Sequence, residues 1–179
     1  MIRALAILAF MSVFPVQAEA PAPGHVVSEE RFAEVAVPFV RKWEGSVLTT
    51  YLDRIASPPI YTVCSGHTGP YAIPGKTYTQ AFCDDLLGDE LLEYREGLHR
   101  YLTADTLRTR LPVTRDTAYT SLAFNVGIAG AGGSTAVRRL NAGDVAGGCE
   151  ALTWWSKAGG RVVRGLVRRR AEEKALCLQ

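Results

Sequence analysis

Long apolar runs are missing from the interior of this 179-residue chain, which excludes a polytopic membrane protein. A charge bias is missing too. Twenty Lys and Arg stand against eighteen Asp and Glu, and the resulting +2 argues against a dedicated nucleic-acid binder, so no nucleic-acid partner is expected. Histidine is scarce: His25, His67 and His99 lie far apart, and no C-x-x-C pair occurs. Neither a metal site nor a thioredoxin-type redox site is therefore expected. No internal repeat is found. The remaining composition, 47% hydrophobic and 21% charged, fits a folded chain rather than a disordered or collagen-like one. At about 100–200 residues per domain, the length allows one domain and a short appendage.

The appendage is at the N-terminus. Arg3 is the only charge before Glu19, an apolar run extends from Ala4 to Phe14, and Pro15 precedes the small-residue site Val16-Gln17-Ala18. A basic start, a short apolar core and a small-x-Ala ending read as a secretory signal over residues 1–18, with an uncleaved anchor as the alternative. Either reading places the chain outside the cytoplasm, in the periplasm or secreted. Cys64, Cys83, Cys149 and Cys177 fit that compartment. An even number in an exported chain suggests two disulfides, with three pairings open, and buried free thiols are the alternative.

Residues 19–27, with Pro21, Pro23 and Gly24, read as a flexible lead-in to a domain over 28–179. Ser28 is an N-cap candidate, followed by Glu29 and Glu30 at the positive end of a helix. Phe32, Val35, Ala36, Phe39, Val40 and Trp43 recur at helical spacing, although Pro38 should kink the helix. Gly45 ends it. Val47–Tyr51 and Ile60–Val63 are strand formers around a turn-rich stretch, giving a hairpin or a three-stranded sheet. Helices are expected over about 79–98, 114–126, 134–141, 144–157 and 166–176, with Gly-rich connectors at 127–133 and 159–160. The fold class is α+β: a small N-terminal β lobe, a larger helical lobe, and a cleft between them.

Glu44 occupies the last turn of the first helix, beside Trp43. The negative end of the helix macrodipole and partial burial suit a carboxyl that must hold a proton, the requirement for a general acid. Asp53 follows nine positions later, placed to face Glu44 across the cleft. Two carboxyls in unlike surroundings form the working pair of most glycoside hydrolases. Eighteen acidic residues offer many such pairs, so a solvated helix-end Glu and a turn Asp are the competing reading.

Longer motifs narrow the choice. Glu44-Gly45-x-x-Leu48-x-x-Tyr51-x-Asp53 is followed by Thr62-Val63-Cys64-Ser65-Gly66-His67-Thr68-Gly69, then Gly75-Lys76-x-Tyr78-Thr79 and Cys83. Phe124-Asn125-Val126-Gly127, Ser134-Thr135, Leu140-Asn141-x-Gly143-Asp144 and Cys149 come next. Trp155-x-x-Ala158-Gly159-Gly160, Gly165-Leu166, Arg169-Arg170-x-x-Glu173 and Cys177 complete the set. In this order the motifs resemble the phage-type lysozymes, and in particular the signal-arrest-release endolysins of lambdoid phages, over about residues 44–178.

The resemblance implies a lysozyme-like fold and a muramidase that hydrolyses β-1,4 bonds between N-acetylmuramic acid and N-acetylglucosamine in peptidoglycan. It implies Glu44 as the acid, with Asp53 and Thr62 holding or activating the attacking water in an inverting reaction. It pairs Cys64 with Cys83 and Cys149 with Cys177, each closure contributing about 3 kcal/mol. The family spacing from Asp to Thr is five residues. Here eight separate Asp53 from Thr62, and the extra length includes Ser57, Pro58 and Pro59. Asn125 is expected to contact sugar or to cap a helix end, and His67 to hydrogen-bond within the small lobe. Arg169 and Arg170 should pair with Glu173 on a helix surface, and Trp154 and Trp155 should pack in the core. No cofactor is implied, since water is the only co-substrate. A monomer is expected, with transient membrane association through the N-terminal segment. Two other readings stand: a lytic transglycosylase leaving anhydro-muramic ends, and a non-catalytic wall-binding protein.

Overall fold

A computed structural model describes residues 27–179, so the expected signal segment 1–18 and nearly all of the lead-in lie outside the described residues. The first helix, α1 (Glu29–Glu44), starts where Ser28 accepts a hydrogen bond from the Arg31 N–H. It runs on through Pro38 and buries Phe32, Ala36 and Val40, one face of the expected stripe. Gly45 stops it with φ 76°, a conformation costly for any residue with a Cβ, and its N–H bonds the Arg41 carbonyl.

Strands β1 (Val47–Asp53) and β2 (Ile60–Cys64) then pair antiparallel as a two-stranded sheet. Tyr51 lies opposite Thr62 and Asp53 opposite Ile60. The three extra residues therefore fall in the turn beyond the last paired positions, and the register, not the turn length, sets where Thr62 stands. A single bridge from Thr49 to Thr77 is the nearest thing to a third strand. Val63, Cys64 and Cys83 form a small core under this sheet, with Tyr78 stacked on Phe82. The Cys64–Cys83 disulfide joins β2 to α2 (Gln80–His99), whose N-cap is Thr79.

The larger lobe is helical. Phe32, Ala36 and Val40 of α1 meet Leu87 and Leu91 of α2 in one cluster. The main core surrounds α4 (Val113–Val126), where every residue from Asp116 to Ala123 is buried. Around α4 pack α1, α2 and α8 (Arg164–Cys177), α6 (Thr135–Asn141) packs on α7 (Val145–Leu152), and Cys149–Cys177 bonds α7 to α8. Two short helices go beyond the expected set: α3 (Ala104–Thr109), and α5 (Ile128–Gly132) inside the expected Gly-rich connector. The helix expected over 144–157 ends at Leu152. Beyond it β3 (Lys157–Ala158) and β4 (Arg161–Val162) form a hairpin whose turn, Gly159-Gly160, has positive φ at both residues. Trp155 packs against the core as expected. Trp154 does not: it is half exposed, with the Arg139 guanidinium over its ring.

Candidate active site

Glu44 is the last residue of α1, delivered to its place by the Ser28 cap at one end and the Gly45 stop at the other. The partial burial expected beside Trp43 comes together with a cation at the carboxylate. The carboxylate is only a quarter exposed, and its Oε1 accepts a hydrogen bond of 2.6 Å from Nη1 of Arg169 on α8. Oε2 makes no hydrogen bond among the described residues.

Arg169 is itself held on several sides. Its Nε donates to Glu173 at 3.1 Å, and its Nη2 donates to the carbonyl and hydroxyl of Ser121, each at 3.2 Å. Glu173 also accepts from Arg170 at 2.6 Å and from the Ser121 hydroxyl at 2.7 Å. Arg170 reaches on to the Asn125 side-chain oxygen. The expected pairing of these arginines with Glu173 is present, but it is not on a surface: Arg169, Arg170 and Glu173 are all buried. Burial pushes the Glu173 carboxyl up, opposed by Arg170, Ser121 and Arg169, and burial likewise lowers the Arg170 guanidinium. A buried charge lattice of this kind fixes geometry, because each member loses its only compensation if another moves.

Asp53 and Thr62 come from the hairpin. Tyr51 and Asp53 are two apart on β1, and their cross-strand partners Thr62 and Ile60 are two apart on β2. All four side chains therefore share one face of the sheet. The Asp53 Oδ1 accepts a 2.8 Å bond from the Ile55 N–H, which sets the carboxylate at the mouth of the turn. Thr62 is buried, and its hydroxyl lies 3.4 Å from the Ile60 carbonyl, a long and weak contact.

The two lobes meet at a groove of about 450 Å³, lined by Ser65, Gly66, His67, Glu90, Tyr94 and Phe124 among others. Its edge is tied to the end of α1, since the Ser65 hydroxyl donates to the Gly45 carbonyl at 2.9 Å. His67 makes its hydrogen bond across the lobes rather than within the small one: Nδ1 is 2.5 Å from Glu90 on α2. That contact pins the loop after β2 to the helical lobe. Asn125, next to Phe124, does not cap the end of α4; the Gly127 N–H bonds the Ala123 carbonyl, while Asn125 receives Arg170. Sequence reasoning missed Arg169 as a partner of Glu44. Among the described residues no cluster of three potential metal ligands occurs.

The family model described as phage lysozyme matches residues 41–173. A SAR-endolysin of Bacteriophage PS119 is 40% identical over 135 residues, which are 75% of this chain and 76% of that protein. Among solved structures, a point mutant of P22 lysozyme superposes with a TM-score of 0.71 at 30% identity, covering 80% of this chain and 95% of that one. The muramidase domain of SpmX from Asticaccaulis excentricus superposes with a TM-score of 0.69 at 28% identity, covering 87% and 99%. With a family match over most of its length and an α+β lysozyme fold, the chain belongs to the phage lysozyme family.

Proposed function

We propose that this phage lysozyme hydrolyses the β-1,4 bond between N-acetylmuramic acid and N-acetylglucosamine with inversion, using Glu44, Asp53 and Thr62. Membership in the family makes the chain a peptidoglycan-degrading lysozyme; the roles of these three residues are our reading. The observation that carries it is the hold of Arg169 on one oxygen of Glu44, which leaves the other without a hydrogen-bond partner among the described residues. A carboxyl fixed through one oxygen is oriented to give its proton from the other.

In this mechanism the glycan lies along the groove between the lobes. Glu44 protonates the glycosidic oxygen as its bond to the anomeric carbon breaks. A water held between the Asp53 carboxylate and the Thr62 hydroxyl attacks that carbon from the opposite face and yields its proton to Asp53. Inversion requires the two carboxyls to stand roughly 6.5–9.5 Å apart, so that the water fits. Asn125, beside the groove residue Phe124, contacts the sugar chain. Arg169 acts through Glu44 and is a positioning residue.

Export through the segment 1–18 completes the reading and accords with the two disulfides and with SAR-endolysin relatives. The domain over 28–179 then works as a monomer in the periplasm or outside the cell.

The test is mass spectrometry of purified peptidoglycan digested by the oxidised protein, beside a Glu44→Gln control. Reducing muramic ends that are absent from the control are expected. Anhydro-muramic ends would replace hydrolysis by a transglycosylase reaction, and soluble fragments from neither protein would leave only wall binding.

A further inference from the structure

The exposed side of α8 departs from the usual pattern of a surface helix, which presents mixed charges to water. Arg164, Val167, Arg168, Ala171, Ala175 and Leu178 recur at intervals of three, four and seven, and all are exposed. They form one stripe of cations and apolar side chains without a carboxylate. The carboxylates nearest in sequence are engaged elsewhere: Glu172 with Lys42, and Glu173 with the buried arginines. Arg164, Val167 and Arg168 also line a shallow cavity of about 480 Å³.

The β3–β4 hairpin extends this surface. It leads directly into α8, and the Val163 N–H bonds the Ser156 carbonyl at its base. Lys157 and Arg161 add two cations, and Val162 is 62% exposed. None of Lys157, Arg161, Arg164 and Arg168 forms an ion pair among the described residues. Exposed valines and a leucine among unpaired cations carry a hydration cost that a merely soluble surface does not need.

We propose that the hairpin and the outer stripe of α8 form a docking surface for an anionic lipid membrane. The cations answer the negative headgroups, and the apolar side chains between them enter the region of the upper acyl chains, as in helices that lie in a membrane interface. The valines favour lipid over an anionic wall polymer, which offers charge but no apolar phase to receive them. The surface is independent of the apolar N-terminal segment and uses none of the residues assigned to hydrolysis. Its cations stand on the outside of the helix whose inner side carries Arg169, so docking leaves the Glu44 contact in place.

Co-sedimentation of the full chain with phosphatidylcholine vesicles, with and without three-tenths phosphatidylglycerol, tests this. Phosphatidylglycerol should strengthen partitioning, and added salt should reverse the gain. Replacing Arg161, Arg164 and Arg168 by serine should weaken partitioning to anionic vesicles by about 100-fold, near fivefold per cation removed. Activity on vesicle-free peptidoglycan should be unchanged, which also shows that the variant is folded. A second variant, Val162→Ser with Val167→Ser, keeps every charge and should likewise weaken binding. Equal partitioning of wild type and both variants would overturn the proposal. So would a valine variant that binds anionic vesicles as wild type does, or a loss of binding to soluble polyphosphate with vesicle binding intact.

Discussion

Arg169 serves two carboxylates at once, Glu44 through Nη1 and Glu173 through Nε, and only a planar guanidinium can span both. Lysine would keep the charge and lose the fork. Arg169→Lys should therefore lower kcat by about 100-fold, the scale of a displacement near 1 Å at a reacting group, with a smaller change in KM. Steady-state kinetics on peptidoglycan checks this split. A second residue carries a pH prediction. Burial raises the Tyr119 hydroxyl well above its ordinary value, opposed by Arg115, while the group donates to the Ala136 carbonyl at 3.1 Å. The folded protein thus keeps this proton at pH values where the unfolded chain, titrating near 10, releases it. The stabilisation is whole below about pH 10 and fades as pH rises further. Tyr119→Phe should lose about 1 kcal/mol at neutral pH and unfold less steeply with pH between about 10 and 12, as denaturant titrations would read.

Among the elements, α8 matters most, since it carries both the hold on Glu44 and half of the Cys149–Cys177 bond. That bond closes a loop of 28 positions and contributes about 3–4 kcal/mol by restricting the unfolded chain. Cys149→Ser with Cys177→Ser should lower stability by that amount in urea titrations. Lytic activity should be lost at lower urea than global structure, because α8 then loosens before α4. Much of this arrangement was legible in the sequence. The Ser28 cap and the Gly45 stop bracket α1 and put Glu44 at its end, and strand formers on either side of a turn-rich stretch put Asp53 and Thr62 on a common hairpin, although Asp53 ends β1 rather than opening the turn. What escaped has physical reasons. The six-residue α3 is too short to show a period, and the glycines of α5 and the two-residue strands β3 and β4 carry almost no propensity. Arg169 lies four positions before Glu173, so its sequence neighbourhood describes a surface pair, and nothing local points to a carboxylate on another helix.

At the scale of the whole molecule, the helical lobe is held by polar contacts as well as by apolar ones. Asp116, buried on α4, accepts from Arg95 at 2.7 Å and pairs with His99 at 2.9 Å, both on α2. Arg95 lies over the Phe32 ring and donates to the Val27 carbonyl at 2.9 Å, which fixes the start of α1 as well. One carboxylate therefore organises three helices. Asp116→Asn should destabilise the protein by about 3–5 kcal/mol, the cost of leaving a buried guanidinium uncompensated. Calorimetry should show one transition at lower temperature rather than two.

The contact between Glu44 and Arg169 joins residues 125 positions apart. A ribosome makes Glu44 early and Arg169 late, so a nascent chain carries the carboxylate long before its guanidinium partner exists. With Glu44 as the proposed acid, a product of interrupted synthesis that stops short of α8 lacks the group that aims it and should cut no peptidoglycan.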